Sequence, residues 1–329
     1  MQLIEKLFAG IQHLLPHHFL SNLVHWLMRI RFRPVKNLLI AVVGGIAGVD
    51  WSEARRQEYA DYDCFNDFFT RELQDGAREI DPDPGAFVSP SDGRISQCGR
   101  ITNNLILQAK GHHYSILSLL ANDPASAEFM NGFFHTIYLS PRDYHRVHMP
   151  ADGVLQRMIH VPGRAFSVSP GTVRQVPGLF ARNERVVSLF ATPHGPMAVV
   201  LVGAMLVSSM DTVWAGTVTP PRGRRVKTGD WSRRDIQLKK GDEMGRFNMG
   251  STVIVLLPPG AVSAIEELEP GDIVQMGQKL GRLRYSSRRH KRHGSGFSRD
   301  FSPTHVRRLV GPAALDDQPV TGFVGAAAR

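Results

Sequence analysis

Residues 245–254 read Gly-Arg-Phe-Asn-Met-Gly-Ser-Thr-Val-Ile and lead directly into an apolar run that continues to Leu257. The apolar run predicts a buried strand, and the Gly-Ser pair at its start places a hydroxyl beside an unhindered carbonyl. Because glycine tolerates backbone conformations that other residues avoid, the Ser251 oxygen is able to turn back onto the Gly250 carbonyl. The segment therefore predicts either a self-cleaving serine or a tight turn into a strand, since Gly-Ser-Thr is also common turn chemistry.

Two stretches upstream carry the side chains that such a serine needs. Residues 138–150 read Tyr-Leu-Ser-Pro-Arg-Asp-Tyr-His-Arg-Val-His-Met-Pro, and residues 88–95 read Val-Ser-Pro-Ser-Asp-Gly-Arg-Ile. A histidine oriented by a carboxylate is the usual means of activating a serine near neutral pH, and His145, His148 and Asp92 are the candidates. On its own, Ser-Asp-Gly favours a turn residue at Asp92, and the alternatives for the two histidines are structural residues or metal ligands, although no third ligand stands at metal-motif spacing.

Together these three stretches resemble the phosphatidylserine decarboxylase family, pyruvoyl-dependent enzymes of bacterial and mitochondrial membranes, and most closely its proteobacterial branch. The resemblance also runs through residues 65–73 (Phe-Asn-Asp-Phe-Phe-Thr-Arg-Glu-Leu), 108–111 (Gln-Ala-Lys-Gly) and 212–216 (Thr-Val-Trp-Ala-Gly), so it covers about residues 60–285. One departure is Met249, where the family usually has leucine. Since the two side chains are nearly equal in volume, we expect the chemistry to be unaffected.

The resemblance implies that the chain is a proenzyme that cleaves itself between Gly250 and Ser251. By the same resemblance, His148 is the base and Asp92 is the acid that orients it. Ser251 attacks the Gly250 carbonyl, the resulting ester eliminates the upstream chain, and the former serine loses ammonia to become a covalent pyruvoyl group. The products are a β chain of residues 1–250 and an α chain of residues 251–329, which are expected to stay associated.

The implied activity is that of a carboxy-lyase. The pyruvoyl group made from Ser251 is the cofactor. It forms a Schiff base with the amine of phosphatidylserine and draws electrons from Cα as CO2 leaves, which gives phosphatidylethanolamine. His145 is the implied proton donor, and no metal is expected. Arg142, Arg146 and Lys110 are candidates for holding the substrate's carboxylate and phosphate, with surface charge as the alternative.

The composition is that of a globular protein. Among 329 residues, 42% are hydrophobic and 21% are charged, which excludes wholesale disorder and a polytopic membrane protein. The net charge of +9 is suited to nucleic acid or to an anionic membrane surface. The lipid substrate that the resemblance implies favours phosphatidylserine in an anionic membrane, and no nucleic acid partner is expected. Cys64 and Cys98 lack CxxC spacing and fit a reducing cytoplasmic setting.

Residues 1–60 predict helices at a membrane surface. The apolar run 38–48 has 11 residues and is broken by Gly44 and Gly45, against the roughly 20 that a spanning helix requires, and no signal peptide is apparent. We expect amphipathic helices that lie peripherally on the cytoplasmic face of the inner membrane, with helices packed on their own domain as the alternative. Two apolar stripes at helical spacing, separated by Pro16, carry this prediction: Leu3, Phe8, Ile11 and Leu15, then Phe19, Leu23, Trp26, Leu27 and Ile30.

The remainder predicts an α+β fold with a mainly antiparallel β core that is barrel-like or sandwich-like. Phe65, Phe68 and Phe69 have helical spacing and are expected to make core contacts. Residues 61–285 are the expected catalytic domain, and the basic stretch from Ser286 begins an expected disordered tail, 286–329. Short β-like runs separated by turn residues are the predicted strands: 86–88, 94–97, 101–107, 133–139, 157–161, 186–190, 197–202 and 253–257.

Three other classes of protein remain as alternatives. A barrel-type metallopeptidase would bind zinc through His145 and His148 and would keep the Gly250–Ser251 bond intact. A carrier or membrane-adaptor module would rest on residues 270–281, which resemble the hairpin of biotinyl and lipoyl carrier domains but lack the lysine motif of a carrier. Nucleic-acid binding would rest on charge and the tail alone. The sequence leaves open whether the chain forms a homo-oligomer.

Overall fold

The computed structural model describes residues 2–109, 111–205, 209–220 and 223–284. The predicted tail, 286–329, and the candidate headgroup ligand Lys110 lie outside the described residues.

Helices occur mainly at the N-terminus, and strands make up most of the remainder. The α-helices are α1 (Gln2–Leu14), α2 (His17–Leu27), α3 (Arg33–Ala47), α4 (Phe65–Phe69), α5 (Ile116–Leu119), α6 (Pro170–Val173) and α7 (Leu179–Arg182), with 3-10 turns at Tyr59–Asp61 and Pro124–Phe129. The strands are β1 (Ala86–Val88), β2 (Gly93–Arg100), β3 (Leu105–Ala109), β4 (His112–Ser115), β5 (Phe133–Leu139), β6 (Arg146–His148), β7 (Gly153–Val161), β8 (Arg185–Thr192), β9 (Gly195–Val202), β10 (Ser209–Thr212), β11 (Gly216–Thr219), β12 (Lys227–Asp230), β13 (Gln237–Leu238), β14 (Glu243–Asn248), β15 (Ser251–Leu257), β16 (Val262–Ile265), β17 (Ile273–Val274) and β18 (Lys279–Leu283).

The two predicted N-terminal helices are confirmed, and Pro16 separates α1 from α2. A third helix, α3, was not predicted, because its paired glycines suggested a break. Pro34 occupies its first turn, where a missing N–H costs nothing, and Gly48 ends it in the left-handed conformation with φ +70°. Gly44 allows α3 to approach the core closely, since a Cβ there would lie 3.3 Å from Trp51 and 3.4 Å from Phe68.

The strand β15 lies in the middle of the largest sheet. It pairs antiparallel with β9 on one side and with β5 on the other, and the full order is β12-β7-β8-β9-β15-β5-β2-β17 with β13 also beside β7. The predicted α+β class and antiparallel core are confirmed. The predicted barrel closure is wrong for the described residues, because β12 and β17 lie at opposite edges of this sheet and do not pair.

Three smaller sheets complete the described fold: β11-β10-β14-β6, β1-β18-β16 and the pair β3-β4. The suggested hairpin at residues 270–281 is wrong, because β17 pairs with β2 whereas β18 pairs with β1 and β16. Gly277, at φ +87°, lies where a Cβ would be 2.4 Å from the Glu79 carbonyl. The chain is thereby held against residue 79 and crosses from one sheet to the other, and a carrier-type hairpin is not formed.

Both faces of β15 are buried, which explains its unbroken apolar sequence. Ile254 and Leu256 pack into one hydrophobic cluster, and Val253, Val255 and Leu257 pack into a second one on the other face. A third cluster, here called the helical cluster, joins α2, α3 and α4. It contains Met28, Ile40, Val49, Tyr62, Phe65, Phe68 and Phe69, with Met249 packed against it. The predicted core role of Phe65, Phe68 and Phe69 is confirmed.

Candidate active site

Ser251 is the first residue of β15 and is fully buried. Its backbone pairs with Leu139 of β5, and its hydroxyl donates a hydrogen bond to the Val202 carbonyl at the end of β9. The hydroxyl is therefore bonded to a main-chain acceptor and not to a histidine. The sheet fixes its position from both sides, because the two neighbouring strands end at the same level.

Backbone strain at the Gly-Ser bond lies one residue earlier than the sequence suggests. Met249 has φ +92°, a conformation that is unfavourable for a residue with a Cβ, whereas Gly250 lies outside this region. A Cβ on Gly250 would also cause no steric clash, since the nearest atom to it is the Leu139 carbonyl oxygen at 3.9 Å. Packing of the Met249 side chain against the helical cluster holds this conformation in place.

His145 lies next to the cleavage segment and is completely buried. Its ring stacks on Phe69 at 4.1 Å with the planes 20° apart, and its carbonyl accepts a hydrogen bond of 3.0 Å from the Phe247 amide. Within the described residues, neither ring nitrogen completes a hydrogen bond. Burial, with a contribution from the Arg71 charge, lowers the pKa of His145 to about 3, so the imidazole is neutral.

His148 lies in β6 and has two well-defined partners. Its Nδ1 is 2.7 Å from the Gly241 carbonyl, which only accepts, so Nδ1 carries the proton. Its Nε2 then accepts from the Tyr144 hydroxyl at 3.0 Å. Burial lowers the pKa of His148 from its ordinary value, so the ring is neutral near pH 7 and suited to act as a base.

Asp92 lies in a loop beside His148, since the Pro90 carbonyl accepts a hydrogen bond of 2.7 Å from the His148 amide. Its carboxylate, however, is bonded elsewhere. Arg78 donates to it from Nε at 2.9 Å and from Nη2 at 2.6 Å, and the Met276 amide donates at 2.9 Å. Arg78 also binds Glu53 through two nitrogens, at 2.8 and 2.7 Å. The His148 ring is thus oriented directly by the Gly241 carbonyl and Tyr144.

The structure brings the predicted residues together in two groups. His145 lies beside Phe247, near the end of β14 that leads to Ser251. His148 instead pairs with Glu243, which lies four residues before Phe247 in the same strand. Four residues of strand correspond to about 13 Å. His148 lines a cavity of about 220 Å³ together with Tyr144, Arg78 and Met276. Ser251, His148 and Asp92 therefore do not form one continuous hydrogen-bonded chain in this structure.

Sequence reasoning missed Tyr144, Arg78 and Arg71. Tyr144 lies within the conspicuous stretch 138–150, which was the only signal for it, and the roles of the two arginines depend on tertiary contacts. Of the earlier headgroup candidates, Arg146 is engaged by Glu243 at 2.8 Å and Glu72 at 3.2 Å. Arg142 is half exposed.

The histidines are not arranged as a metal pair. His145 directly precedes β6 and His148 ends it, and residues three apart on an extended chain point to opposite faces. Their rings accordingly have different neighbours, Phe69 for one and Tyr144 for the other. No cluster of three or more His, Cys, Asp or Glu side chains suited to a metal ion occurs in the described part of the chain.

Comparison with known proteins places this geometry in a family context. Residues 65–282 match the family model described as phosphatidylserine decarboxylase, and residues 7–43 match a second model described as PSD. The chain is 54% identical over 281 residues to the phosphatidylserine decarboxylase proenzyme of Pseudomonas fluorescens Pf-5, which covers 84% of this chain and 97% of that protein. It is 53% identical over 281 residues to the proenzyme of Ectopseudomonas mendocina, covering 84% and 98% respectively.

Proposed function

The chain belongs to the phosphatidylserine decarboxylase family, and on this premise we propose that it converts phosphatidylserine to phosphatidylethanolamine and CO2 after cleaving itself between Gly250 and Ser251. The observation that carries the proposal is the buried Ser251 hydroxyl at the edge of a strained Met249–Gly250 segment, within a chain that matches proenzymes over 84% of its length. Residues 61–285 carry the catalysis in this proposal.

In maturation, Ser251 Oγ attacks the Gly250 carbonyl carbon, and the Gly250–Ser251 peptide bond is replaced by an ester that later eliminates. The hydroxyl proton must pass to a base. We assign this role to His148, whose neutral Nε2 has a free electron pair directed at Tyr144, with Asp92 holding the adjoining loop through Arg78 and Met276. Ser251 and His148 are not in direct contact in this structure, and Tyr144 is the described side chain that contacts the accepting nitrogen of His148.

In decarboxylation, the pyruvoyl group formed from Ser251 supplies a carbonyl that condenses with the substrate's amine and withdraws electrons as CO2 leaves. The surroundings fit such a group, because the two buried ring nitrogens of His145 complete no hydrogen bond of ordinary geometry with a described residue, although the backbone of Ser140 and Pro141 lies nearby. We assign proton delivery to the substrate's Cα to His145. The stacked Phe69 ring fixes the plane of the imidazole and excludes water from that side.

The N-terminal helices are proposed to hold the protein on an anionic membrane, at the cytoplasmic face of the inner membrane. No helix among the described residues has the length and hydropathy needed to cross a bilayer. The helices instead expose apolar side chains beside cationic ones, a combination that suits the interface of an anionic membrane. The most exposed apolar residues on α1–α3 are Leu3, Ile4, Leu7, Leu14, Phe19, Trp26, Leu38 and Ile46, and Arg31 and Arg33 lie at the junction of α2 and α3.

The proposal is tested with purified protein and vesicles that contain phosphatidylserine labelled in the carboxyl group. We expect release of labelled CO2 and a matching amount of phosphatidylethanolamine, and we expect neither from Ser251→Ala. Thr252→Ala is the matched control, since it removes the neighbouring buried hydroxyl without touching the scissile bond. Equal activity in Ser251→Ala and wild type would contradict the proposed function.

A further inference from the structure

Arg71 is a buried cation that makes no ion pair within the described part of the chain, although the charges of Asp92 and Glu53 act on it at longer range. Its residue is 3% exposed, yet Nε and Nη1 have no hydrogen-bond partner among the described residues. Nη2 makes one long contact of 3.4 Å to the Arg142 carbonyl. A buried guanidinium with two unused donors is costly, because it has lost its water without gaining equivalent bonds.

The other fully buried cations of the described chain donate hydrogen bonds to main-chain carbonyls. Arg185 donates to the carbonyls of Leu119, Ala181, Asn183 and Ser118 at 2.6–2.9 Å. Lys36 donates to the carbonyls of Tyr59 and Tyr62. The acids on the same side of the molecule as Arg71, Glu53 and Asp92, are already bound by Arg78. Arg71 is thus the exception, and its free donors are a feature to be explained.

Its position points to the substrate. The guanidinium lies over the Phe68 ring at 5.7 Å, at the border of the helical cluster. It also acts electrostatically on His145, the proposed proton donor, whose ring stacks on Phe69 of the same cluster. A phosphatidylserine molecule has the same order of parts: the reacting Cα, then a phosphodiester, then the acyl chains. A cation that acts on His145 and also borders the helical cluster is therefore suited to pair with the phosphodiester.

We propose that Arg71 binds the phosphodiester of the phospholipid substrate through Nε and Nη1. This inference rests on the proposed function, because it assumes that His145 faces the substrate's Cα. Arginine presents its donors as a planar fork that matches two oxygens of a phosphate.

The substrate's carboxylate is the other oxyanion with which Arg71 is able to pair, and electrostatics disfavours that pairing. The carboxylate loses its charge as CO2 leaves, so a strong fixed cation would stabilise the ground state more than the transition state and would slow the reaction. The phosphodiester keeps its charge from substrate to product. Binding it contributes equally to both states, which lowers KM without opposing the chemical step.

The test compares wild type, Arg71→Met and Arg71→Lys on phosphatidylserine in mixed nonionic micelles. We expect Arg71→Met to mature normally and to raise KM at least ~10-fold while kcat changes less than ~3-fold, since a charge-assisted hydrogen bond is lost. Arg71→Lys keeps the charge but not the fork and should fall between the two. Arg100→Met, at an exposed arginine that ends β2 and has no proposed role in substrate binding, is the control and should leave KM unchanged.

Inhibition by phosphatidylethanolamine identifies which oxyanion Arg71 holds, because this lipid keeps the phosphodiester and lacks the carboxylate. We expect Arg71→Met to weaken that inhibition by the same factor as it raises KM. An unchanged KM, a rise in KM with unaltered inhibition, or an equal loss in Arg100→Met would each overturn the proposal, as would failure of Arg71→Met to cleave itself. The wild-type reaction is read separately: an inactive wild type contradicts the proposed function itself.

Discussion

At the residue scale, the two histidines of the stretch 138–150 lie in different environments. His145 is stacked on Phe69 beside the cleavage segment, and His148 is bonded to Gly241 and Tyr144 at the edge of a cavity. Both are neutral because burial lowers their pKa values. We propose that the two histidines serve different steps because they lie beside different parts of β14, His145 next to Phe247 and His148 opposite Glu243.

Substitution should separate the two roles. We predict that His148→Ala and Asp92→Ala leave an uncleaved chain, because the base or the loop that holds it is lost, whereas His145→Ala still matures but decarboxylates at least ~100-fold more slowly. Denaturing electrophoresis reports cleavage, and CO2 release reports the second step. Tyr144→Phe should slow cleavage and leave the fold intact. Normal cleavage in both His148→Ala and Asp92→Ala would refute the assignment of the base.

The strained Met249 backbone makes a separate prediction. Met249→Gly removes both the side chain and the strain, whereas Met249→Ala removes most of the side chain and keeps the strained Cβ. If strain of about 1 kcal/mol or more assists cleavage, the glycine variant should mature about fivefold more slowly than the alanine variant. Met249→Leu should behave as wild type. The comparison is made from cleavage time courses, and equal rates for glycine and alanine would show that the strain is not used.

A third residue-scale prediction concerns acid stability. His135 is buried beside Phe87, neither ring nitrogen has a partner among the described residues, and burial lowers its pKa to about 4. Between pH 6.5 and 4, His135 is protonated in the unfolded chain but stays neutral in the folded chain. The free energy of unfolding therefore falls as pH drops from about 6.5 toward 4. The loss amounts to roughly 3 kcal/mol over that window for a group with a pKa of about 4.

His135→Leu should therefore flatten the dependence of unfolding free energy on pH between 4 and 6.5, measured by urea denaturation. His113→Leu replaces an exposed histidine and should leave the slope as it is in wild type. Identical slopes for His135→Leu and wild type would mean that His135 is not the group responsible.

At the element scale, α1 to α3 connect the proposed membrane face to the catalytic core. Gln12 of α1 accepts a hydrogen bond of 2.7 Å from the Ser167 amide, and His17 of α2 accepts one of 3.2 Å from the Ala165 amide. Their opposite faces are exposed and apolar. The helices are thus held to the domain by polar contacts on one side, and this leaves the other side free for lipid.

Membrane binding can be tested without disturbing the fold. Leu14 and Trp26 are 86% and 64% exposed, so Leu14→Glu with Trp26→Glu removes apolar surface without creating a cavity. We predict a fall of about tenfold or more in binding to vesicles rich in phosphatidylglycerol, with unchanged Tm and unchanged self-cleavage. Ile273→Glu, at a site 61% exposed in β17, is the matched control. The same loss of binding in Ile273→Glu would contradict a specific helical surface.

Sequence reasoning succeeded for elements whose pattern reflects burial. The strands β5, β8, β9 and β15 have both faces covered and appear in the sequence as predominantly apolar runs. Strands such as β12, whose residues are largely exposed, carry no such pattern and were missed. The helix α3 was missed because Gly44 and Gly45 suggested a break, although Gly44 serves close packing against Phe68.

In the candidate site too, some residues are recognisable from the sequence and others only from the folded structure. Ser251, His145, His148 and Asp92 could be named because they stand in distinctive short stretches. Arg71 and the ion pairs of Arg78 could not be named, because their importance lies in what surrounds them in space. A buried guanidinium without a partner is visible only once the packing is known.

At the scale of the whole molecule, the cleavage site lies between two chains that the fold interleaves. The strand β15 would begin the α chain, yet both of its neighbours, β5 and β9, belong to the β chain. The later strands β17 and β18 likewise pair with β2 and β1 of the β chain. Cleavage therefore leaves the sheets intact, and the two products should elute together under native conditions and separate only in denaturant.

The most direct test of self-cleavage is the intact mass of the purified chain and of Ser251→Ala under denaturing conditions. We predict two wild-type fragments of about 28 and 9 kDa, in proportion to residue number, and the smaller one should carry a pyruvoyl group in place of Ser251. The Ser251→Ala chain should stay whole at 36.5 kDa. A wild-type chain that remains whole when purified from native membranes, with an unmodified serine at position 251, would contradict this prediction.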